Sequence, residues 1–530
     1  MVPCVIFEDE HLLVVNKPAG WNTHAPGPHA GEGIYDWLRA RESRWASLAI
    51  IHRLDKETSG MLVFGKTALA NKSLTQQFTD RKVHKCYFLL TDRKLPALPL
   101  IVKTPLLRVG EKYASRPGGE MAETRFTATE NSAVGPVRSG SSLICAEPLT
   151  GRTHQIRVHA AENGFPILGD TLYGGTPSAR VCLHAGEIAF THPATHEPVT
   201  FSVPAAFDRQ PRLALRDAII EPEATNAFRL IHGASDGWPD WYVEKLGDYL
   251  LSQSEAALTP GQNAELMGLA EKQRAKGVYH KTLSRHVRQT HVADASPQLI
   301  RGEPAPERFT IRENGLSYEL SFAEGYSVGL FLDQRDNRRR LLTGHLAAHF
   351  PPAALQRAQL LNCFAYTCGF SVCAAQAGAR TTSLDLSKKY LEWGRRNFVL
   401  NGLDPAAHDF IFGDAFDWLR RLAKKGRAFD WIVLDPPTFS QSKETGAFRV
   451  EKNYGELVAA ALCVLKPEGV LLASTNAAHW PAEKFLEAVS TSVVTRKRKI
   501  LQEHYAPQPP DFPVSRNEPA YLKTVWLKIG

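Results

Sequence analysis

The sequence predicts a multidomain chain that joins α+β and α/β architecture, and three observations predict it. At 530 residues it is long enough for about three domains. Its first part is a series of short apolar runs broken by Gly, Ser, Thr and Pro, the pattern of short strands and turns. Its last part alternates buried-strand and helix patterns, which predicts an open, mostly parallel sheet with helices on both faces. The boundaries read as 1–215, 222–324 and 325–530. A linker is expected over 204–222, which is rich in proline and charge.

In the first domain, apolar runs at 48–51 and 61–64 bracket His52, Arg53, Leu54, Asp55, Lys56, Glu57, Thr58, Ser59 and Gly60. Two strands around a polar turn present Asp55 on a loop. Arg53 and Lys56 flank it, and nearby cations favour an ionised carboxylate, a candidate nucleophile or general base. The bland reading is a salt bridge at a hairpin. Tyr87 lies in the strand-like run Cys86 to Leu90, where a core role competes with a functional one. Thr150, Gly151, Arg152, Thr153, His154, Gln155, Ile156 and Arg157 follow, with Val158 and His159 next. Neither His154 nor His159 has cysteine or carboxylate partners at metal-ligand spacing, so no metal is expected.

The middle domain reads as strands at 228–231 and 249–252, a helix over 261–276, and further strands at 277–283 and 309–322. It is a small α+β module without a catalytic constellation of its own.

The third domain opens with a buried strand at 359–364, a turn, a helix over 370–377 and a strand at 381–384 ending in Asp385. That is the βαβ logic of nucleotide-type cofactor sites, with an acidic residue for ribose hydroxyls. A helix at 387–401, a strand before Asp414, a helix at 416–425 and a strand at 429–434 follow. The last strand runs into Asp435, Pro436, Pro437 and Thr438, a rigid extended segment beside a carboxylate that suits gripping a flat base. Asp414 reads equally well as a helix N-cap. The loop is not a GxGxxG, which weighs against a nicotinamide cofactor.

Composition narrows the class. Lys and Arg number 63 against 55 Asp and Glu, a net charge of +8, which fits a phosphate-bearing partner. Hydrophobic residues make up 43%, enough for several cores. The eight cysteines form no CxxC pair and read as reduced thiols of a cytoplasmic protein. The first residues are acidic where a signal peptide would be basic, and no apolar run reaches the ~18 residues of a membrane span. The basic runs Arg338-Arg339-Arg340 and Arg496-Lys497-Arg498-Lys499 are phosphate grips or solvated faces.

Residues 6–20, Lys85-Cys86-Tyr87, Thr150 to His159 and Pro166-Ile167-Leu168-Gly169-Asp170 together resemble the RluA-type pseudouridine synthases, over roughly residues 3–205. The resemblance implies a mixed or antiparallel pseudouridine synthase fold. It implies Asp55 as the catalytic aspartate and Arg157 as its partner. Tyr87 would stack on the base and join in proton transfer. Arg53 would fill the gap left by a flipped uridine. His52, Arg152 and His154 would face the RNA.

The middle and last domains resemble the RlmI/RlmK-type 23S rRNA methyltransferases, at 236–248, 329–338, 362–370 and Asp435 to Lys443. Trp238, Asp240 and Cys368 depart from that pattern. A class I, Rossmann-like fold using S-adenosyl-L-methionine is implied. Asn362, Phe364, Thr367, Gly369 and Asp385 would line the cofactor, with Asp414 near its adenine and Arg335 near its carboxylate. A cytosine-C5 relative carries a cysteine where this chain has Asn476, so guanine N7 is the expected target, with Asp435 and Asn476 at the chemistry. Cys463, on the preceding helix, reads as core. The expected whole is a bifunctional enzyme acting on 23S rRNA. The alternatives are the same folds on tRNA, cytosine C5 as target, or an assembly factor with an inactive site. Oligomeric state stays open.

Overall fold

The computed structural model describes residues 2–129, 140–283, 296–325, 327–351, 355–442 and 446–530; Lys443 of the DPPT tract lies outside them. The chain divides into two units. One comprises Met1–Pro26, Glu32–Leu38 and Ser47–Glu221; the other comprises Gly27–Gly31, Arg39–Ala46 and Pro222–Gly530.

The first unit is built on eleven described strands: β1 (Val5–Glu8), β2 (Leu12–Lys17), β3 (Ala49–Ile50), β4 (Ser59–Gly65), β5 (His84–Thr91), β6 (Leu100–Val109), β7 (Lys112–Ser115), β8 (Glu120–Ala128), β9 (Ser142–Pro148), β10 (Leu183–Thr191) and β11 (Pro198–Ser202). Their order is β1-β2-β4-β10-β5-β9-β8-β6-β7, with β11 on β10 and β3 on β4. The β4–β10 pair is parallel and the others are antiparallel, so the sheet is mixed. Central strands such as β4 are buried along their whole length, as Val, Leu, Met and Phe require.

Two expectations change here. The linker over 204–222 contains the helix Pro211–Ile219, which starts on Pro211 and buries Leu213, Leu215 and Ile219. Proline at a helix's first turn forfeits no hydrogen bond, so this proline marks a start and not a break. Cys86 and Cys145, on neighbouring strands with Cα atoms 6.1 Å apart, are bridged, against the all-reduced expectation. A separation of 59 residues gave no sign of it. The other six cysteines are free, and of these only Cys463 is exposed.

The second unit carries two described sheets and two hairpins. The first sheet comprises β12 (Ala227–His232), β13 (Trp241–Leu246), β14 (Tyr249–Ser254), β15 (Gly277–Thr282) and β16 (Gln298–Gly302), crossed by the helix Pro260–Lys272. Thr259 and Gln262 form a capping box at that helix, which explains its sharp start. The expected strand at 309–322 is a hairpin of β17 (Phe309–Glu313) and β18 (Leu316–Leu320). Its turn is Asn314-Gly315, both at positive φ, as a tight hairpin demands. β16 is exposed throughout and has no apolar face to reveal it.

The second sheet comprises β19 (Gln359–Cys363), β20 (Arg380–Asp385), β21 (Asp409–Phe412), β22 (Phe429–Leu434), β25 (Leu465–Thr475), β26 (Ile500–Tyr505) and β27 (Lys523–Ile529). The hairpin of β23 (Phe439–Ser442) and β24 (Gly446–Arg449) lies outside it. The order is β21-β20-β19-β22-β25-β27-β26, parallel up to β25, with β27 antiparallel to both its neighbours. One core runs from the small domain into this one, through Leu246, Tyr279, Ile311, Tyr318, Phe370 and Trp431.

The first basic run is mostly internal, whereas in the second Arg496, Lys497 and Lys499 are exposed and only Arg498 is held within the fold. Arg338 makes two bonds to Glu313, at 2.6 and 2.8 Å, and Arg340 donates to the Leu346 carbonyl. Arg498 donates to the carbonyls of Gly530 and Leu465.

Candidate active sites

In the first unit, Asp55 stands on the loop between β3 and β4, as its bracketing runs predict. The loop is pinned from below by Lys17, at the end of β2. Its fully buried ammonium donates to the carbonyls of Pro18 (3.0 Å), Trp21 (2.7 Å) and Lys56 (3.2 Å). Thr23 closes the other side, bonding both the carbonyl and the N–H of Leu54. Sequence reasoning passed over Lys17; a lysine closing an apolar strand was the available signal.

Asp55, Arg53, His52, Tyr87 and Arg152 line one cleft of about 680 Å³. Burial pushes the Asp55 carboxyl up from its ordinary value, while His154, Arg157 and Lys17 pull it down. The flanking Arg53 and Lys56 are exposed, so the cations that matter come from elsewhere in the fold. His154 lies 4.0 Å from Asp55 and bonds the Tyr173 hydroxyl at 2.8 Å.

The expected Arg157–Asp55 pair is looser than the sequence suggested. Arg157 gives Nε and one terminal nitrogen to Asp170, at 2.7 and 2.8 Å. Its other terminal nitrogen is buried without a hydrogen bond among the described residues, 3.9 Å from Asp55 and 3.6 Å from Glu57. Asp170 therefore anchors the guanidinium and leaves one N–H pair on the side of Asp55 and Glu57. The run Leu168-Gly169-Asp170 carries part of the resemblance, but nothing local marks its acid as this partner.

Tyr87 projects from β5 into the cleft; burial and Asp55 both raise its phenol, which keeps it protonated. His52 accepts from Val63 N and stacks on Phe78. Burial and Lys85 pull its pKa down to about 3, so it lines the cleft as a neutral ring. Arg152 is exposed and pairs with Glu120 at 2.7 Å. His159 is internal, bonded to Thr124 and Thr104.

In the second unit, the carboxyl ends of β20, β22 and β25 carry Asp385, Asp435 and Asn476. Asp385 accepts from Tyr366 N and Ser387 N, both at 2.8 Å, which fixes its carboxylate and leaves lone pairs for a ligand. Leu386, Phe412 and Phe331 are exposed, unusual for large apolar groups. None of the three was singled out from sequence. A carboxylate for hydroxyls beside an apolar rim fits S-adenosylmethionine.

Three expected cofactor contacts are engaged within the fold. Asn362 is buried and donates to Ser371 at 2.9 Å, and Thr367 is buried with its hydroxyl on the Gly329 carbonyl. Arg335 holds Asp511 through two bonds of 2.8 and 2.7 Å, so it is spent inside the fold and not aimed at a cofactor carboxylate. Asp414 caps the helix Ala415–Lys424 through Asp417 N. Phe364 and Gly369 stand at either end of the loop after β19. Phe364, Tyr366 and Cys368 in that loop all have positive φ, which L side chains resist. Cys368 is tolerated because Gly394 opposite has no side chain: a Cβ there would sit 2.3 Å from the Cys368 sulfur.

Asp435 accepts from Gln334 Nε2 at 3.1 Å, and the same amide donates to Ser474 at 2.8 Å. Asn337 holds the Gln334 oxygen at 2.7 Å, and Trp526 bonds the Asn337 oxygen at 3.1 Å. Burial and the nearby Asp333 push Asp435 up to about 7, against Ser474, Arg338 and Gln334. Pro437 and Thr438 are exposed beside it, Pro436 is buried, and Asn476 is exposed just past β25. Cys463 is exposed, not core, and sits before the amino end of β25.

The comparisons bear on the two parts of the chain. The RNA pseudouridylate synthase family model matches residues 11–162, and the S-adenosylmethionine-dependent methyltransferase model matches residues 228–527. A Deinococcus radiodurans protein named ribosomal RNA large subunit methyltransferase is 33% identical, over 60% of this chain and 77% of its own length. Ribosomal large subunit pseudouridine synthase C of Vibrio vulnificus is 37% identical, over 38% of this chain and 65% of its own length, just under two thirds. A methyltransferase crystal structure complexed with SAH superposes with a TM-score of 0.52 at 27% identity, over 64% of this chain and 87% of that one. The chain belongs to the S-adenosylmethionine-dependent methyltransferase family and is an enzyme that carries, ahead of that part, an RNA pseudouridylate synthase domain.

Proposed function

We propose that this enzyme modifies large-subunit ribosomal RNA twice, isomerising a uridine in the Asp55 cleft and methylating guanine N7 at the Asp435 site, in the cytoplasm. Both curated relatives named above are large-subunit enzymes by name, which supports the substrate. For isomerisation, Asp55 acts at the ribose while the free N–H pair of Arg157 holds its charge. Tyr87 covers the base as a neutral phenol. Arg53, exposed at the cleft, takes the place of the flipped nucleotide.

For methylation, bound S-adenosylmethionine supplies an electrophilic methyl group. Asp385 holds the ribose hydroxyls, and Pro436, Pro437 and Thr438 frame the base. Guanine N7 already has a lone pair and needs only positioning. The observation that carries this choice is Asn476 at the carboxyl end of β25, where a cytosine-C5 enzyme needs a thiol. The other thiols do not substitute. Burial pushes Cys363, Cys368 and Cys373 each up to about 12, which denies them thiolate character. Cys463 is separated from Asn476 by the whole of β25, roughly 30 Å at strand rise.

The test is product mapping in ribosomal RNA from cells lacking the protein, beside RNA modified by the purified chain. One new pseudouridine and one 7-methylguanine are expected. Covalent trapping of the enzyme on RNA containing 5-fluorocytosine would instead establish the cytosine mechanism.

A further inference from the structure

A second groove, of about 450 Å³, adjoins the Asp55 cleft. The two cavities share Phe78, Lys85, Gly151 and Arg152, so a strand leaving one passes directly into the other. Phe78 forms the partition, with His52 stacked on it at 5.0 Å on the cleft side. Beyond it the groove has an apolar floor that includes Val83, Pro148 and Leu149, and Leu149 is 46% exposed. Arg81, Lys85 and Arg152 supply positive charge, and Glu147 is the acidic residue in the lining.

Lys85 is the telling group. It projects from β5 beside Tyr87, half-buried, and its ammonium lies 5.8 Å from the Phe78 ring centroid. Among the described residues it makes no hydrogen bond and no ion pair. Burial lowers its pKa, the mark of a charge given up by water and not yet matched by a partner. A phosphate bridging cleft and groove would supply that partner.

We infer that the groove binds the nucleotide next to the target uridine in the same RNA strand, with its base on the Leu149 floor and the linking phosphate on Lys85. This rests on the cleft being the uridine site. Stacking and phosphate contact need no particular base, so the subsite adds affinity and register before sequence choice.

The test uses the full chain carrying Asp55→Asn, so that bound RNA is not turned over. Binding of a fluorescein-tagged pentaribonucleotide with a central uridine is measured by anisotropy. Each linkage in turn is replaced by a neutral methylphosphonate, and each flanking base by an abasic site. One linkage and one neighbouring base should prove sensitive. Lys85→Met should weaken the unmodified oligonucleotide roughly tenfold and reduce its salt slope by about one. It should add nothing to the loss caused by the sensitive methylphosphonate. Leu149→Ser, at an exposed position that folding does not need, should likewise add nothing to the sensitive abasic site. Equal losses on every oligonucleotide, or none on any, overturn the groove assignment. Pseudouridine formation by the wild-type chain, measured alongside, keeps the two readings apart: no isomerisation fails the cleft, whereas isomerisation without position-specific losses fails the groove alone.

Discussion

Asp435 is held between two requirements. Its setting in the fold raises its pKa to about 7, yet a methylated guanine N7 carries a positive charge that an ionised neighbour would stabilise. Methyl transfer should therefore rise as pH climbs through about 7, and Asp435→Asn should flatten the profile; an unchanged profile would remove the residue from the chemistry. The linkage has the opposite sign for stability. A folded pKa raised above the unfolded 3.8 means that ionisation costs the native state, from little at low pH to on the order of 4 kcal/mol above pH 7. Asp435→Asn should then raise Tm more at pH 8 than at pH 5. Elsewhere at this scale, Asp385→Ala removes charge-assisted bonds worth about 1.5–3 kcal/mol each and should weaken S-adenosylmethionine binding at least tenfold by calorimetry. Asp55→Asn should abolish pseudouridine formation at nearly unchanged Tm.

The loop after β19 shows what an element can and cannot announce. Its existence followed from a strand, a turn and a helix in order, and the structure places strand and helix within a residue of the reading. The cofactor contacts drawn onto it fared less well. Asn362 and Thr367 have the polar atoms a ligand would want, but neighbours across the fold, Ser371 and Gly329, claim them. Such capture depends on packing between distant segments and leaves no local trace. The same holds for Arg335 and Asp511, separated by 176 residues. Cys368 against Gly394 is a pair that can be tested. Gly394→Ala should cost about 1–3 kcal/mol through overpacking, by denaturant unfolding. In a Cys368→Gly background the same change should cost little, since the clash is gone. Equal costs in both backgrounds would show that the glycine answers to something else.

At the scale of the whole molecule, each unit carries its own chemistry, and the residues proposed for it come from within that unit. Asp55→Asn should accordingly leave methylation at the wild-type rate, and Asp385→Ala should leave isomerisation intact, both read by nucleoside analysis. Motif order made this division legible, because each chemistry has its own ordered set of fixed residues. The continuous core through Leu246, Ile311, Phe370 and Trp431 was not legible, since periodicity reports that a face is apolar but not which face meets it. The cysteine distribution has a practical side. Two of the eight sulfurs are bridged and five lie in the interior, so maleimide chemistry on the folded enzyme should attach a single dye at Cys463. That position lies before the amino end of β25, away from the edge where Asp385, Asp435 and Asn476 gather. The native sequence thus offers a ready fluorescent handle for following RNA engagement, without a cysteine being removed or added.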